Sequence, residues 1–313
     1  METYLGLDLG GTKLLIGEVD SQGTIYGHKR YDSGYFDQQT AVGIIRRSLD
    51  DYVRTVGWHG APPVAMGVGL VGRVDYDQGI WQQIDPERTC PVPLARELTQ
   101  AYGIPCFIDT DVKSATRAEM TWGYGKKSDN FIYINVGTGI AAGMVINGRQ
   151  PRGSHYNAGE VGHVRVGVQV GVDCVCGRTD CVEAIASGSG FDRCARLLQD
   201  RYPTSLHIPA KCGERVAVKE VFELCKQEDP LCRVLVDNAA EALADLIMAL
   251  VRMTDPDTVV LGGGVVADGF LLSQVERYLH SGTMRFVTNG VVITKLDPQF
   301  VGLLGAAAVA MNS

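Results

Sequence analysis

The sequence predicts an α/β protein built from two related domains, and three observations carry that prediction. One design occurs twice: a buried strand, a Gly/Thr turn, a second apolar strand and a hairpin turn. It appears first in YLGLDLGGTKLLIGEVDSQG and again in FIYINVGTGIAAGMVINGRQ. Short apolar runs then alternate with segments of helical spacing, the arrangement of strands and helices in a layered α/β fold. Finally, three glycine loops (10–11, 137–139 and 262–264) each follow a predicted strand.

Taken in order, Leu5–Leu9 reads as a buried strand that meets the turn Gly10–Gly11–Thr12. Leu14–Val19 is a second strand, and Asp20–Gly23 turns the chain into a third. Residues 38–57 have helical spacing, with Ile44, Ile45, Leu49 and Val53 on one stripe. Residues 64–75 read as a buried strand running into a glycine turn. PLARELTQAYG is a short helix ending at Gly103, and 104–111 is a strand that delivers Asp109 and Asp111 to its C-terminal end. Phe131–Val136 begins the second copy, whose hairpin turn is Asn147–Gly148. A long amphipathic helix follows at 235–253, broken at Asp255–Pro256, and then a strand at Thr258–Leu261.

The chain has 313 residues, enough for one large or two ordinary domains, and its 38 glycines exceed the roughly 7% average. Its 29 basic and 36 acidic residues leave a formal charge of −7 with no Lys/Arg cluster, which argues against nucleic acid as a partner. The N-terminus lacks a basic region before its apolar run, so no secretory signal is expected. The longest apolar stretches, near 243–251 and 301–311, are about half of what a membrane span needs. A cytoplasmic location without membrane partners is therefore expected, where nine cysteines are more often reduced, buried or metal-bound than paired.

In DLGGTK the bare backbone of Gly10 and Gly11 lets a phosphate approach, Thr12 and Lys13 add a hydroxyl and a cation, and Asp8 can hold Mg²⁺ through water. Alone this is as compatible with a tight turn. Together with Gly137–Thr138–Gly139 and Gly262–Gly263–Gly264 it points to a nucleotide, the loops holding the β/γ-phosphates from two sides and then the adenosine. The stretch DCVCGRTDCVE carries Cys174, Cys176 and Cys181, and GEVGH places His163 eleven residues upstream of Cys174. Cys174 and Cys176 are too close for an easy disulfide with each other. Three thiolates and an imidazole are a common closed zinc set, so the metal would be structural rather than catalytic. Cys90, Cys106, Cys194, Cys212, Cys225 and Cys232 lack ligand spacing and read as core or inert thiols.

The motifs DLGGTK, GVGLVGRVD, NVGTGIAAGMVINGR, GSHYNAGEVGHVRV, CVCGRTDCVEAIASG and VVLGGGV occur in that order, followed by GLLGAAAVA. With them the chain resembles, from end to end, the ROK family of repressors, open-reading-frame proteins and sugar kinases. That resemblance implies an actin-like ATPase fold, with two ribonuclease-H-like domains around a cleft. The smaller would be 1–109 completed by a C-terminal helix at 300–313, and the larger 110–299 with the zinc motif. It implies an ATP-dependent kinase acting on a hexose or amino-hexose, usually at O6, with Mg²⁺ and structural Zn²⁺, in a homodimer. Asp111 matches the catalytic base. Glu160, His163 and Glu183 match sugar contacts, with Gly72 and Thr110 on the sugar side as well. His163 would then bind zinc through one ring nitrogen and face the sugar with the other.

The chain departs from the family pattern at TDVK, where Thr110 and Lys113 replace the asparagines usual around the catalytic aspartate. Thr110 predicts a changed preference on the C3/C4 side of the sugar. Lys113 would favour ionised Asp111, reach a phosphate or point into solvent. Val71 stands where proline is usual, and Ala141–Ala142 where glycines are common. A sugar-responsive repressor is disfavoured, because such proteins carry a DNA-binding segment ahead of the first glycine loop and Asp8 is only the eighth residue here. The alternative kept open is a non-catalytic sugar-binding or sensor protein derived from a kinase.

Overall fold

The computed structural model describes residues 2–34, 36–84, 88, 90–211 and 213–311, which leaves Cys212 outside the described residues. The chain folds as two compact units. Unit 1 comprises Met1–Lys127, Arg152–Ala158 and Lys295–Ser313; unit 2 comprises Ser128–Pro151 and Gly159–Thr294.

Unit 1 begins with β1 (Thr3–Leu9), β2 (Lys13–Asp20) and β3 (Ile25–Asp32), followed by α1 (Gln38–Thr55). Asp37 starts α1 with a capping box: its carboxylate accepts from the Thr40 amide at 2.8 Å, and Thr40 Oγ1 accepts from the Asp37 amide at 3.0 Å. The stripe Ala41, Ile45, Leu49 and Tyr52 is buried. Next come β4 (Ala65–Leu70), β5 (Arg73–Asp75), β6 (Ile80–Gln83), α2 (Leu94–Tyr102), β7 (Cys106–Thr110) and α3 (Asp111–Trp122). The strand expected to run into a glycine turn over 64–75 is β4, the turn is at Gly72, whose φ is 90°, and a further short strand, β5, follows it. The sheet order is β3-β2-β1-β4-β7, antiparallel in the first two pairs and parallel in the last two. One core joins Leu5, Leu7, Met66, Val68 and Ile108 of this sheet to the stripe of α1 and to Trp81 and Leu98.

Unit 2 opens with β8 (Phe131–Val136) and β9 (Ile140–Val145). Asn147 and Gly148 both have positive φ, 51° and 70°, as a two-residue hairpin turn requires. Helices α4 (Val182–Ala186), α5 (Gly188–Leu198), α6 (Val218–Lys226) and α7 (Pro230–Thr254) follow, then β10 (Thr258–Gly262), α8 (Phe270–Val275), α9 (Ser281–Met284) and β11 (Val291–Ile293). The α7 helix begins five residues before the predicted start. Pro230 is accommodated in the first turn, where its missing amide costs no helical hydrogen bond, and the Asp229 carboxylate caps the helix by accepting from the Cys232 amide at 3.0 Å. The strand order is β11-β10-β8-β9, with β8–β9 antiparallel and the other pairs parallel. Strands β2, β1, β4 and β7 thus correspond in order and direction to β9, β8, β10 and β11, the topological form of the repeat seen in sequence.

The last element, α10 (Val301–Met311), returns to unit 1. It is apolar all round and buried from Leu303 to Ala310, packing on β1, β4 and α3. The helix sits directly on the sheet backbone: a Cβ at Gly67 would lie 1.9 Å from the Ala306 carbonyl oxygen. Leu303, Leu304, Ala307, Ala118, Leu15 and Val19 form a second core there. Each large side chain so buried contributes roughly 1.5–3 kcal/mol. Packing against α10 also places α3 in unit 1, so the residues after Thr110 stay with the N-terminal sheet.

Candidate active site and metal centre

In unit 1 the ends of β1, β4 and β7 carry the expected residues. Asp8 lies near the end of β1, half-buried, and burial pushes its carboxyl up to about 6 while Lys13 pulls it down. Its neighbour is the first turn of α10: a Cβ at Gly302 would lie 2.2 Å from Asp8 Oδ2. The Gly10 amide donates to the Lys13 carbonyl at 2.9 Å, closing the turn into β2. Around Gly11 there is open space, since a Cβ there would meet nothing within 4 Å, and Gly11, Thr12 and Lys13 are exposed. Gly72 has the opposite character: at φ 90° a Cβ would lie 2.2 Å from the Gln83 carbonyl oxygen, so backbone conformation and packing both call for glycine there.

At the end of β7, Thr110 caps α3, its hydroxyl accepting from the Lys113 amide at 3.4 Å. Asp111 is the first helical residue, half-buried, with Oδ1 accepting from the Val112 amide at 2.8 Å. Lys113 neither points into solvent nor reaches outward for a phosphate. It is 5% exposed, and its Nζ donates to the Tyr156 carbonyl at 2.6 Å. Tyr156 belongs to the strap Arg152–Ala158, which leaves unit 2 after the β9 hairpin and packs in unit 1. Tyr156 Oη also donates to Asp77 Oδ2 at 2.7 Å. At the start of the strap Arg152 forms a two-pronged ion pair with Asp109, 2.9 and 2.8 Å, beneath the Tyr76 ring. Sequence reasoning missed Arg152; no local signal ties it to an aspartate 43 positions earlier. His155 is exposed on the strap.

Unit 2 presents the other two glycine loops. The Gly137 carbonyl accepts from the Gly188 amide at 2.8 Å and the Thr138 carbonyl from the Ser189 amide at 3.2 Å, which docks loop 137–139 on the first turn of α5. Ser187, unnoticed in sequence, caps that helix by accepting from the Gly190 amide at 2.9 Å. Of the triple glycine, Gly262 and Gly263 are fixed by close contacts: a Cβ would lie 2.2 Å from Tyr133 Oη and 2.4 Å from the Val136 carbonyl oxygen, respectively. Gly264 is exposed with nothing within 4 Å.

Glu160 is exposed at the head of a single turn, Val161–His163, and the His163 amide donates to the Glu160 carbonyl at 3.2 Å. His163 Nδ1 lies 3.4 Å from Cys174 Sγ, and Cys176 Sγ lies 3.5 Å from Cys181 Sγ. One donor atom from each of the four residues falls within 4.8 Å of all the others. Tetrahedral zinc with Zn–S bonds of about 2.3 Å needs ligand atoms roughly 3.7 Å apart, so the set fits a structural zinc with little movement. The loop is built to hold that shape. The Gly177 amide donates to the Cys174 carbonyl at 3.0 Å, with Gly177 at φ 82°, and the Cys174 amide to the Arg178 carbonyl at 2.8 Å. Asp180 Oδ1 gathers the amides of Val170, Gly171 and Val172 at 2.7–3.1 Å. Hydrogen bonding from Arg178 lowers the Cys176 thiol, while burial raises that of Cys181. Glu183, two residues beyond Cys181 in the first turn of α4, accepts from the Ile140 amide at 2.8 Å through Oε2, which fastens the cysteine segment to the start of β9.

Among the described residues, no helix is long and apolar enough to cross a membrane. The family model for ROK, described as the ROK family, matches residues 4–313. A glucokinase of Thermotoga maritima is 28% identical, covering 97% of this chain and 96% of that protein. An N-acetylmannosamine kinase of Haemophilus influenzae is 30% identical, covering 97% and 93%. The structure of a ROK family glucokinase from Streptomyces griseus, solved in complex with glucose and AMPPNP, superimposes with a TM-score of 0.77 at 26% identity over 99% of this chain and all of that one. The fold is therefore that of the ROK sugar kinases, the actin-like ATPase fold.

Proposed function

This chain belongs to the ROK family, and on that premise we propose that it transfers the γ-phosphoryl group of ATP to a hexose or amino-hexose, at O6, with Asp111 as general base. The observation that carries the reading is the match, along nearly the whole length, to a glucokinase that holds both a sugar and an ATP analogue. Three features of the chain support it: open backbone at Gly11 and Gly264, Asp111 at the start of α3, and Glu160 and Glu183 close in sequence to members of the four-ligand cluster that includes His163.

In the proposed reaction the sugar oxygen attacks the γ-phosphorus. An O–P bond forms, the bond to the β-phosphate oxygen breaks, ADP leaves, and the sugar proton passes to the Asp111 carboxylate. Phosphoryl transfer needs positioning more than covalent help. Mg²⁺, when bound, would neutralise charge developing on the phosphates, and Asp8 is the carboxylate that would hold it through water. Zn²⁺, when bound by His163, Cys174, Cys176 and Cys181, supplies a rigid tether. With Nδ1 turned to Cys174, Nε2 is the nitrogen left for a sugar hydroxyl. The non-catalytic alternative draws on Lys113 and Thr110, yet Lys113 is taken up by the Tyr156 carbonyl and Thr110 by helix capping.

The test is ADP release from MgATP across a panel of glucose, mannose, allose, fructose, glucosamine, N-acetylglucosamine and N-acetylmannosamine. One sugar should stand out, with phosphate at O6 by NMR. Asp111→Asn should lower kcat by about 10²–10⁴ while calorimetry shows sugar binding nearly unchanged. Wild-type-like turnover by Asp111→Asn would remove Asp111 as the base.

A further inference from the structure

We propose that Lys113 is a positioning residue: its buried ammonium latches the Arg152–Ala158 strap beside the first turn of α3, and the latch sets how tightly the acceptor sugar is held. The proposal rests on the sugar-kinase reading.

A lysine ammonium is rarely buried, because its charge must keep hydrogen-bond acceptors when it loses water. Lys113 is 5% exposed, and the acceptor at 2.6 Å is a backbone carbonyl, that of Tyr156. That residue has φ 59°, a left-handed conformation uncommon for a bulky side chain and needing outside support. Support comes from two sides, from Lys113 on the carbonyl and from Asp77 on the phenol. The arrangement lies within one helical turn of Asp111, two residues before Lys113.

What the latch would orient is polar. Ser154, His155 and Asn157 are exposed on the strap, and a hydroxyl, an imidazole and an amide are groups that donate to and accept from sugar hydroxyls. The carbonyl held by Lys113 lies between His155 and Asn157, so fixing it fixes the heading of both. Lys113 itself touches neither reacting atoms nor sugar in this assignment.

The experiment compares wild type, Lys113→Met, Tyr156→Phe and the double variant, reading steady-state kinetics and hydrogen exchange of the amides at 153–158. Lys113→Met should speed that exchange about tenfold and raise the sugar KM about tenfold, with the ATP KM within about twofold. Tyr156→Phe, a change at the other tether that leaves the core of α3 untouched, should raise the sugar KM in the same direction. The double variant should fall short of the product of the two effects, because both act on one strap. Unchanged exchange in Lys113→Met would overturn the latch, and a looser strap with an unmoved sugar KM would overturn its role in sugar binding. A residue serving only the fold would lower kcat through loss of active protein and leave both KM values in place. If Lys113→Met does not fold, an unmoved sugar KM in Tyr156→Phe overturns the proposal. A wild-type protein that turns over no hexose would fail the kinase reading instead, and the exchange arm would still decide the latch.

Discussion

Arg152 and Asp109 are 43 positions apart, yet their side chains meet in a two-pronged pair of 2.9 and 2.8 Å with Asp109 only 1% exposed. A carboxylate buried to that extent depends on its cations, here Arg152 and, at 3.7 Å, the Arg117 guanidinium. Arg152→Ala removes the fork but leaves the Arg117 charge in place, so it should cost about 2 kcal/mol, read as a shift in the urea midpoint. Arg152→Lys should recover only part of it, because an ammonium cannot supply the fork. Equal stability of wild type and Arg152→Ala would mean that the pair contributes nothing net.

Metal analysis of the purified protein should find one zinc per chain. Cys176→Ala should lose it, and a chelator should lower the Tm of the wild type but not of the variant. Zinc retained in Cys176→Ala would remove that residue from the ligand set.

Asp8 makes stability depend on pH in a definite direction. Its folded-state pKa, about 6, lies above the ordinary 3.8, so the folded chain holds the proton more tightly than the unfolded chain. The resulting stabilisation is complete below pH 3.8, fades as pH rises and is lost above about 6, a difference on the order of 3 kcal/mol. Asp8→Asn removes the titration. The variant should match wild type in urea at pH 3.5 and exceed it at pH 7.5, while losing turnover with MgATP. A stability difference that does not change with pH would refute the perturbed carboxyl.

Gly11→Ala and Gly263→Ala should separate binding from folding. The first adds a methyl group where nothing lies within 4 Å, so Tm should move by no more than about 2 °C while the ATP KM rises. The second forces φ 93° on alanine and drives its Cβ to 2.4 Å from the Val136 carbonyl oxygen, so about 2 kcal/mol or more should be lost. Thermal melts of both, with ATP titrations of Gly11→Ala, check the pair.

What was legible in the sequence is what is local in the chain. The strand–glycine–strand units, the Asn147–Gly148 turn and the Cys174–Cys176–Cys181 spacing each declare themselves within twenty residues, and His163 lies near enough to join the last. The long-range pairings were not. Nothing around Lys113 indicates a carbonyl at position 156, and nothing in PRGSHYNA indicates that a segment inside the second repeat packs with the first sheet. The start of α7 was placed five residues late because its apolar spacing is plain only from Leu235 onward, while the Asp229 cap and the first-turn Pro230 lie before it. How much room surrounds a glycine was equally hidden: Gly11 lies in open space and Gly72 at φ 90° against the Gln83 carbonyl, a difference no neighbouring residue in sequence announces.

The path of α10 has a consequence for how the chain comes off the ribosome. The strands of unit 1 are made first, but the helix that covers one face of their sheet is encoded about 180 residues after α3 ends. At roughly 5–20 residues per second, that face stays bare for on the order of ten to thirty seconds while unit 2 emerges as an insertion. Along that face Gly6 and Gly67 leave bare backbone for Leu303 and Ala306, while Leu15 and Val19 beside them wait for the same helix to cover them. The sheet of unit 1 is thus sealed last, by the end of the chain.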